Sequence, residues 1–188
     1  MTGSLPPEIS KLEALSNLNI WNNQITGTIP SELGNLRELT QQLDLAKNEL
    51  TGTIPSELSN LEKLTRLYLS HNQLMGTVPS KLGYLRELTV LELQNVTIMG
   101  AIPSELENLG LLKRLYLQDN QLTGTIPSEL GNLGTLIELG LSDNQLTGTL
   151  PSELGNLENL LTLWIHNNKL TGTIPSTLRG NIEGFVGR

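Results

Sequence analysis

The sequence of 188 residues contains no cysteine. Disulfide bonds, thiolate metal sites and a cysteine nucleophile are therefore excluded. Aromatic residues are also few, with one Phe, two Trp and three Tyr, although large aromatic side chains commonly dominate a globular core. The apolar residues are mostly Leu and Ile, which suits a core built from many similar stacked layers.

Basic residues are outnumbered, and long apolar runs are missing. Twelve Lys and Arg stand against 19 Asp and Glu, a net charge of −7, so nucleic acid is not an expected partner, because binding it needs a basic face. The sequence contains neither a membrane-spanning run nor a basic start followed by an apolar stretch, the mark of a signal peptide. Localisation stays open: extracellular or cell surface if the parent protein has a signal peptide, and cytoplasmic otherwise.

One phrase recurs from end to end of the chain. It is complete at residues 122–133, where it reads LTGTIPSELGNL. Its glycines are spaced by 24 residues, with a single step of 25 between Gly27 and Gly52. A fixed period of this size indicates a repeat array, in which each turn buries its apolar face against its neighbours. The glycines are Gly3, Gly27, Gly52, Gly76, Gly100, Gly124, Gly148 and Gly172.

A second phrase precedes each glycine and is clearest at residues 64–74, LTRLYLSHNQL. Joined together, the two phrases read LxxLxLxxNxLxGxIPxxLxxL. This pattern resembles the leucine-rich repeat, and its Gly-x-Ile-Pro segment, as at 27–30, resembles the plant-type subclass found in receptor-like ectodomains and polygalacturonase-inhibiting proteins. Plant-type extracellular domains usually cap their ends with cysteine pairs, which this chain lacks.

The resemblance implies an α/β repeat fold. We expect a right-handed leucine-rich-repeat solenoid, shaped like a horseshoe, with a parallel concave β-sheet, short second strands, and 3-10 or helical turns on the convex side. The whole chain, 1–188, is predicted to be one domain. It comprises a partial repeat at 1–15, seven repeats of about 24 residues at 16–178, and a short tail at 179–188.

The partial first repeat has no polar cap, and a terminal solenoid turn needs one. We therefore expect either a longer array or a second molecule, as in a homodimer, to cover the apolar residues there. These residues are Leu5, Ile9, Leu12 and Leu18. At the other end of the chain, Phe185 and Val186 are candidates for a minimal cap over the last turn.

An asparagine ends the strand phrase in six repeats. Its amide offers two donors and an acceptor, which suits a buried ladder that satisfies backbone groups where the chain turns. We prefer this structural role to a role in ligand binding. Val96 takes the place in the fourth repeat, so that repeat is expected to leave backbone groups unpaired. The predicted ladder is Asn23, Asn48, Asn72, Asn120, Asn144 and Asn168.

Motifs for catalysis are missing from the sequence. Glycine-rich phosphate loops of the common spacings are absent, and His71 and His166 lie four repeats apart, roughly 19 Å, too far to share a metal ion. Asp119 and Asp143 hold equivalent places in adjacent repeats, about 5 Å apart, near the carboxylate spacing of a retaining glycosidase. Two solvated acids are the preferred interpretation, with a weakly bound cation as the alternative. The sequence thus predicts no enzyme, no cofactor and no metal.

The variable strand positions predict the functional surface. Trp and Tyr concentrate there among Arg and Asn, a composition typical of binding hot spots. Tyr68, Tyr116 and Trp164 share one column at every second repeat, about 10 Å apart, and Gly140 leaves a gap between the last two. We predict a groove floored by Gly140 that binds a protein, peptide or glycan. Its partner-binding residues are Tyr68, Arg114, Tyr116, Gln118, Glu138, Gly140, Trp164, His166 and Trp21.

Two alternatives and one modification stay open. A hydrolase inhibitor would use the same concave face, as the resemblance to polygalacturonase-inhibiting proteins implies. Ice binding would instead use the regular column of threonines beside the glycines, such as Thr28, Thr53 and Thr125. Asn95 begins the only Asn-x-Ser/Thr sequon and would be glycosylated in a secretory pathway.

Overall fold

The computed structural model describes residues 1–178, so the predicted cap residues Phe185 and Val186 lie outside the described part. The chain winds as a right-handed solenoid of stacked turns, as the resemblance implied. Its strands are β1 Thr2–Ser4, β2 Leu18–Asn19, β3 Gln24–Thr26, β4 Gln42–Asp44, β5 Arg66–Tyr68, β6 Met75–Thr77, β7 Val90–Glu92, β8 Thr97–Gly100, β9 Arg114–Tyr116, β10 Gln121–Leu122, β11 Glu138–Gly140, β12 Thr147–Gly148, β13 Thr162–Trp164 and β14 Lys169–Leu170.

The concave side is a seven-stranded parallel sheet in the order β2-β4-β5-β7-β9-β11-β13. Every pairing is in repeat register, with Leu67 opposite Leu91 and Leu91 opposite Leu115. The central leucine of each strand points inward, and its two neighbours point to the concave surface, because side chains alternate along a strand. The period of the sequence thus lines up equivalent positions as columns across the sheet.

Short second strands form on one flank. β1 pairs with β3, β6 with β8, β8 with β10, and β12 with β14, all in parallel. Isolated bridges continue the flank, for example between Thr28 and Thr51. The glycine of each repeat lies here with positive φ, as at Gly52 (φ +76°). At Gly52 a side chain would also collide with the methyl group of Thr28, 2.8 Å from the position of its Cβ.

The convex side carries one 3-10 helix per turn. A proline directly precedes each of the eight helices and is the N-cap residue of the first seven, and a serine is the first residue of all but the earliest. Ser31 Oγ donates to the carboxylate of Glu32 (3.3 Å) and does not cap a backbone N–H. The helices are Pro7–Lys11, Ser31–Asn35, Ser56–Asn60, Ser80–Tyr84, Ser104–Asn108, Ser128–Asn132, Ser152–Asn156 and Ser176–Leu178.

The core is one continuous stack of leucine and isoleucine side chains between the sheet and the 3-10 helices. The first repeat joins this stack more fully than the sequence suggested, since Leu5 and Leu18 are buried and Ile9 packs against the core. Of the four apolar residues predicted to need a cover, Leu12 alone is well exposed, at 54%. Between residues 1 and 178, no helix is long and apolar enough to cross a membrane.

Candidate functional site

The concave sheet brings part of the predicted site together near its C-terminal end. Glu138 lies opposite Arg114, and Gly140 lies between Tyr116 and Trp164 on the two neighbouring strands. Of these residues, Tyr116 and Trp164 line a shallow cavity of about 460 Å³, here called the C-terminal hollow. Its lining consists of Tyr116, Gln118, Asp119, Ser142, Asp143, Trp164 and His166.

The predicted open groove over Gly140 is not present. Gly140 is buried, because the side chain of Gln118 lies over it, with Oε1 only 2.3 Å from where a Cβ would be. The rings of Tyr116 and Trp164 lean across the same gap until their centroids are 6.0 Å apart, at an interplanar angle of 59°. The missing side chain therefore lets neighbouring side chains close in, and the cavity lies beside this aromatic pair.

Hydrogen bonds hold Tyr116 in place. Its hydroxyl donates to one carboxylate oxygen of Glu138, and the other oxygen accepts from Arg114 Nε at 3.2 Å. Burial raises the pKa of Tyr116, and the hydrogen bond and negative charge of Glu138 raise this pKa further. The phenol therefore stays protonated at ordinary pH, and Arg114 and Glu138 largely neutralise each other at the first residues of β9 and β11.

The opposite wall of the C-terminal hollow carries two carboxylates. Asp143 accepts from Asn167 Nδ2 at 2.7 Å and lies 3.4 Å from Nε2 of His166. Asp119 holds the equivalent place one turn earlier and is exposed. Two buried atoms in this wall, Gln118 Oε1 and His166 Nδ1, have no hydrogen-bond partner among residues 1–178.

Tyr68 and Trp21 lie elsewhere, in a second cavity of about 340 Å³ nearer the first repeats. In this N-terminal hollow, the ammonium group of Lys47 sits 5.4 Å from the ring centroid of Trp21. The predicted partner-binding residues are therefore divided between two places on the same sheet. The lining is Trp21, Asp44, Ala46, Lys47, Tyr68, Ser70, His71, Glu92 and Gln94.

Sequence reasoning missed the importance of the residue that follows each concave strand by three positions. It takes a left-handed conformation in every repeat, with φ between 53° and 56°, which aligns these residues as one further column along the rim. Asp, Asn and His favour this conformation, and that preference was a usable signal. The column is Asn22, Lys47, His71, Asn95, Asp119, Asp143 and Asn167.

The asparagines of the predicted ladder hydrogen-bond to the backbone of their own turn and the turn before. Asn144 Oδ1 accepts from Leu122 N at 2.9 Å, and its Nδ2 donates to the carbonyl oxygens of residues 117, 141 and 142. Val96 is buried at the equivalent place and offers no acceptor. The N–H of Leu74 therefore lacks the asparagine partner that Leu122 has.

Asn95, the sequon residue, is exposed on the concave rim at φ 54°. The hydroxyl of Thr97 donates to the carbonyl oxygen of Leu74 at 2.7 Å. Glycosylation of Asn95 stays a prediction. Within residues 1–178, no three His, Asp or Glu side chains come close enough together to hold a metal ion.

Comparison with known proteins identifies the family. Leucine-rich-repeat family models match residues 7–74, 111–133, 135–157 and 159–181, which together make up more than half of the chain. The chain belongs to the leucine-rich-repeat family. No curated protein matches the sequence significantly.

Among solved structures, the chain resembles plant receptor ectodomains. One is the ectodomain of the Arabidopsis thaliana membrane receptor kinase GASSHO1/SCHENGEN3, in complex with CASPARIAN STRIP INTEGRITY FACTOR 2. It is 42% identical with a TM-score of 0.94, over 97% of this chain and 22% of that one. Another is the Arabidopsis receptor kinase HAESA, in complex with the peptide hormone IDA and the co-receptor SERK1. It is 40% identical with a TM-score of 0.93, over 99% of this chain and 32% of that one.

The chain thus spans about a fifth to a third of the length of these receptor chains. A third similar structure is a plant ice-binding protein, 29% identical with a TM-score of 0.67, where the match covers 93% of this chain and 71% of that one. The fold and the repeat sequence are therefore those of leucine-rich-repeat ectodomains, which typically bind ligands and are not catalysts.

Proposed function

We propose that this chain is a non-catalytic recognition module of a larger receptor-like or surface protein, and that it binds a protein or peptide on its concave sheet. The observation that carries the proposal is the aromatic pair of Tyr116 and Trp164, half-buried beside a cavity and surrounded by polar side chains. Partly exposed Trp and Tyr next to polar groups are the residues that contribute most to protein interfaces. The likeness to GASSHO1/SCHENGEN3 and HAESA, both solved with ligands, supports it further.

Selection of ligands from a random peptide library displayed on phage tests the proposal, with the whole chain as the immobilised target. Peptides enriched on the wild-type chain should lose at least about tenfold in affinity when Tyr116 and Trp164 are both replaced by alanine, because hot-spot truncations cost about 2 kcal/mol or more. Tyr84→Ala is the matched control, since Tyr84 is 60% exposed on the convex side. Its affinity for the same peptides should be unchanged.

Loss of binding in both variants would point to a different surface, and retention of binding in the double variant would refute the proposal. Circular dichroism of each variant separates a local effect from unfolding. An inhibitor of a secreted hydrolase would use the same concave face. Such an enzyme, added to the assay, should compete with the selected peptides.

Ice binding is a second candidate, favoured by the likeness to the plant ice-binding protein and by the exposed threonine columns of the flank. Several of these hydroxyls, however, already hydrogen-bond the backbone: Thr51, Thr147 and Thr171 each donate to a glycine carbonyl of the turn before, at 3.2 Å. Met75 and Met99 also interrupt one column and are about half exposed. Thermal hysteresis of a dilute solution, and its loss in Thr125→Tyr, would establish this candidate.

A further inference from the structure

The two hollows of the concave sheet have linings of similar composition but differ in charge along the rim column. Each combines an aromatic residue, carboxylates, a histidine and small side chains. In the N-terminal hollow, the rim position with left-handed backbone is Lys47, whose ammonium group lies over Trp21 at 5.4 Å. In the C-terminal hollow, the same rim position is Asp119 in one turn and Asp143 in the next. Both hollows contain two carboxylates, but at this rim position the N-terminal hollow has a cation and the C-terminal hollow has acids.

The basic side chains near the C-terminal hollow already have partners. Arg114 is paired with Glu138 at 3.2 Å, and His166 lies 3.4 Å from Asp143. Lys113 and Lys169, the other basic residues of these repeats, are not part of the lining. The carboxylate of Asp119 forms no ion pair with any residue between 1 and 178. The cavity is therefore bounded by hydrogen-bond acceptors and aromatic rings, a combination that attracts a positive charge.

We propose that the C-terminal hollow receives a basic side chain, specifically an arginine, of the protein or peptide that binds the concave sheet. The guanidinium group stacks on the surface of Trp164 that borders the cavity and donates to the carboxylates of Asp119 and Asp143. In the N-terminal hollow a cation of the same chain already lies over a tryptophan ring, since Lys47 contacts Trp21. This inference rests on the proposed function, since it names the chemistry of the partner at that surface.

Arginine fits better than lysine for a geometric reason. Its planar group stacks on an aromatic surface while its N–H groups reach carboxylates in a fork, whereas an ammonium group is a compact and strongly hydrated charge. The two carboxylates belong to adjacent turns, about 5 Å apart at the backbone. One guanidinium group can therefore contact both of them, with no need for a rearrangement of the sheet.

The two tryptophans provide separate reporters for a test. The probe is the capped tripeptide acetyl-Gly-Arg-Gly-amide, with acetyl-Gly-Gln-Gly-amide as the uncharged control, titrated into the nitrogen-15-labelled whole chain. The indole N–H signals of Trp21 and Trp164 are followed by NMR and are assigned with Trp21→Phe. We expect the arginine peptide to shift the Trp164 signal saturably and the Trp21 signal much less, because Lys47 already occupies that ring.

Two variants test the role of charge. The double variant Asp119→Asn with Asp143→Asn should weaken binding of the arginine peptide at least about fivefold. It removes two charge pairs, and each pair at an exposed site contributes a modest free energy. Lys47→Asp should make the Trp21 signal respond to the same probe, because it gives the N-terminal hollow the charge pattern of the C-terminal one. Both variants keep exposed or half-exposed side chains at rim positions, so the fold should persist, as the dispersion of the amide spectrum will show.

Three results would overturn the inference: no saturable shift of Trp164, an equal shift with the glutamine peptide, or unchanged binding in the double aspartate variant. These outcomes are separate from failure of the proposed function. Peptides selected from the library that depend on Tyr116 and Trp164 but carry no basic residue would leave concave-face recognition standing and refute the arginine site. A library that yields no such peptides would refute the proposed function itself.

Discussion

The N-terminal and C-terminal halves of the concave sheet are built from the same repeat but differ in their asparagine ladder and in their surface side chains. In the C-terminal half the asparagine ladder is unbroken, and the aromatic pair of Tyr116 and Trp164 closes over Gly140. In the N-terminal half the ladder is interrupted at Val96. Trp21, which is partly exposed there, has the ammonium group of Lys47 of the same chain over its ring. The scaffold therefore tolerates large changes at its variable positions because the buried leucines, and not the surface side chains, hold adjacent turns together.

This difference distinguishes two roles of residues in a repeat sequence, stability of the fold and binding of a partner. Residues that recur in every turn fill the core or hydrogen-bond the backbone, so their replacement should change the stability of the fold. Residues that vary from turn to turn decide which charges and rings are available to a partner. The following four predictions, from the largest expected effect to the smallest, test that separation.

Asn144→Val should lower the free energy of unfolding by about 2 kcal/mol, the cost of leaving a buried amide without an acceptor. Asn144 Oδ1 is the acceptor for Leu122 N, whereas the carbonyl oxygens of residues 117 and 141 also accept from Asn120 and Asn168. Urea denaturation followed by circular dichroism measures the loss. A change below about 0.5 kcal/mol would show that the ladder has little energetic role in the C-terminal half.

Val96→Asn should raise the free energy of unfolding by about 1 kcal/mol and make the N-terminal half resemble the C-terminal half. The new amide would offer an acceptor to the N–H of Leu74. The gain is smaller than the loss at Asn144, because Val96 is buried and packs in the core, so its apolar contacts are forfeited. The same urea experiment serves here, with Val96→Ala as the control that loses those contacts and gains no hydrogen bond. Destabilisation of both variants alike would contradict the prediction.

Gly140→Ala should destabilise the fold by less than about 1 kcal/mol, because the atom that the new Cβ meets is the flexible end of Gln118. The displaced amide should push Tyr116 away from Trp164, since the Cβ would also lie 3.4 Å from Tyr116 Cδ1. Near-ultraviolet circular dichroism should therefore change more than stability does. Gly140→Ala with Gln118→Ala is the matched control, in which the spectrum should return towards that of Gln118→Ala alone.

Raising the pH above about 10 should reduce stability through Tyr116. Burial, with the hydrogen bond and charge of Glu138, raises the pKa of Tyr116 above the ordinary tyrosine value of about 10, so the unfolded chain loses this proton before the folded chain does. The stabilisation is complete below pH 10 and is lost as pH rises through the folded-state pKa. Absorbance of the phenolate in a background of Tyr68→Phe and Tyr84→Phe, where Tyr116 is the one remaining tyrosine, should show Tyr116 ionising at lower pH after Glu138→Gln. No change would mean that burial alone controls Tyr116.

Much of the fold could be predicted because each turn repeats the same local information. The spacing of leucines gave the strands and their parallel stacking, and the Gly-x-Ile-Pro segment indicated the subclass. The serines of the convex helices show where local preference is not enough: serine is a favoured N-cap residue, but proline occupies the N-cap and Ser31 bonds Glu32 instead. A helix of one or two 3-10 turns has its N–H groups arranged differently from those of an α-helix.

The site was harder to predict than the fold. The column of Tyr116, Gly140 and Trp164 was correctly ordered, but an empty groove was inferred from the missing side chain at Gly140. In the structure, Gln118 and both rings fill that space, because a close-packed surface closes over a gap when flexible neighbours can reach it. The charges of Asp119 and Asp143 were noted, but their place beside Trp164 depends on the left-handed turn that follows each strand.

The sequence by itself determined that the chain is a leucine-rich solenoid, which residues are buried and which columns face the concave side, since a strict period places every repeat in the same environment. Only the tertiary structure decided that six of the nine predicted binding residues line two separate hollows, and that one hollow contains its own cation. The physical reason is that side chains from turns 24 residues apart become neighbours about 5 Å from each other. Their ring contacts, ion pairs and rotamers then depend on that packing and not on the order of residues within any one repeat.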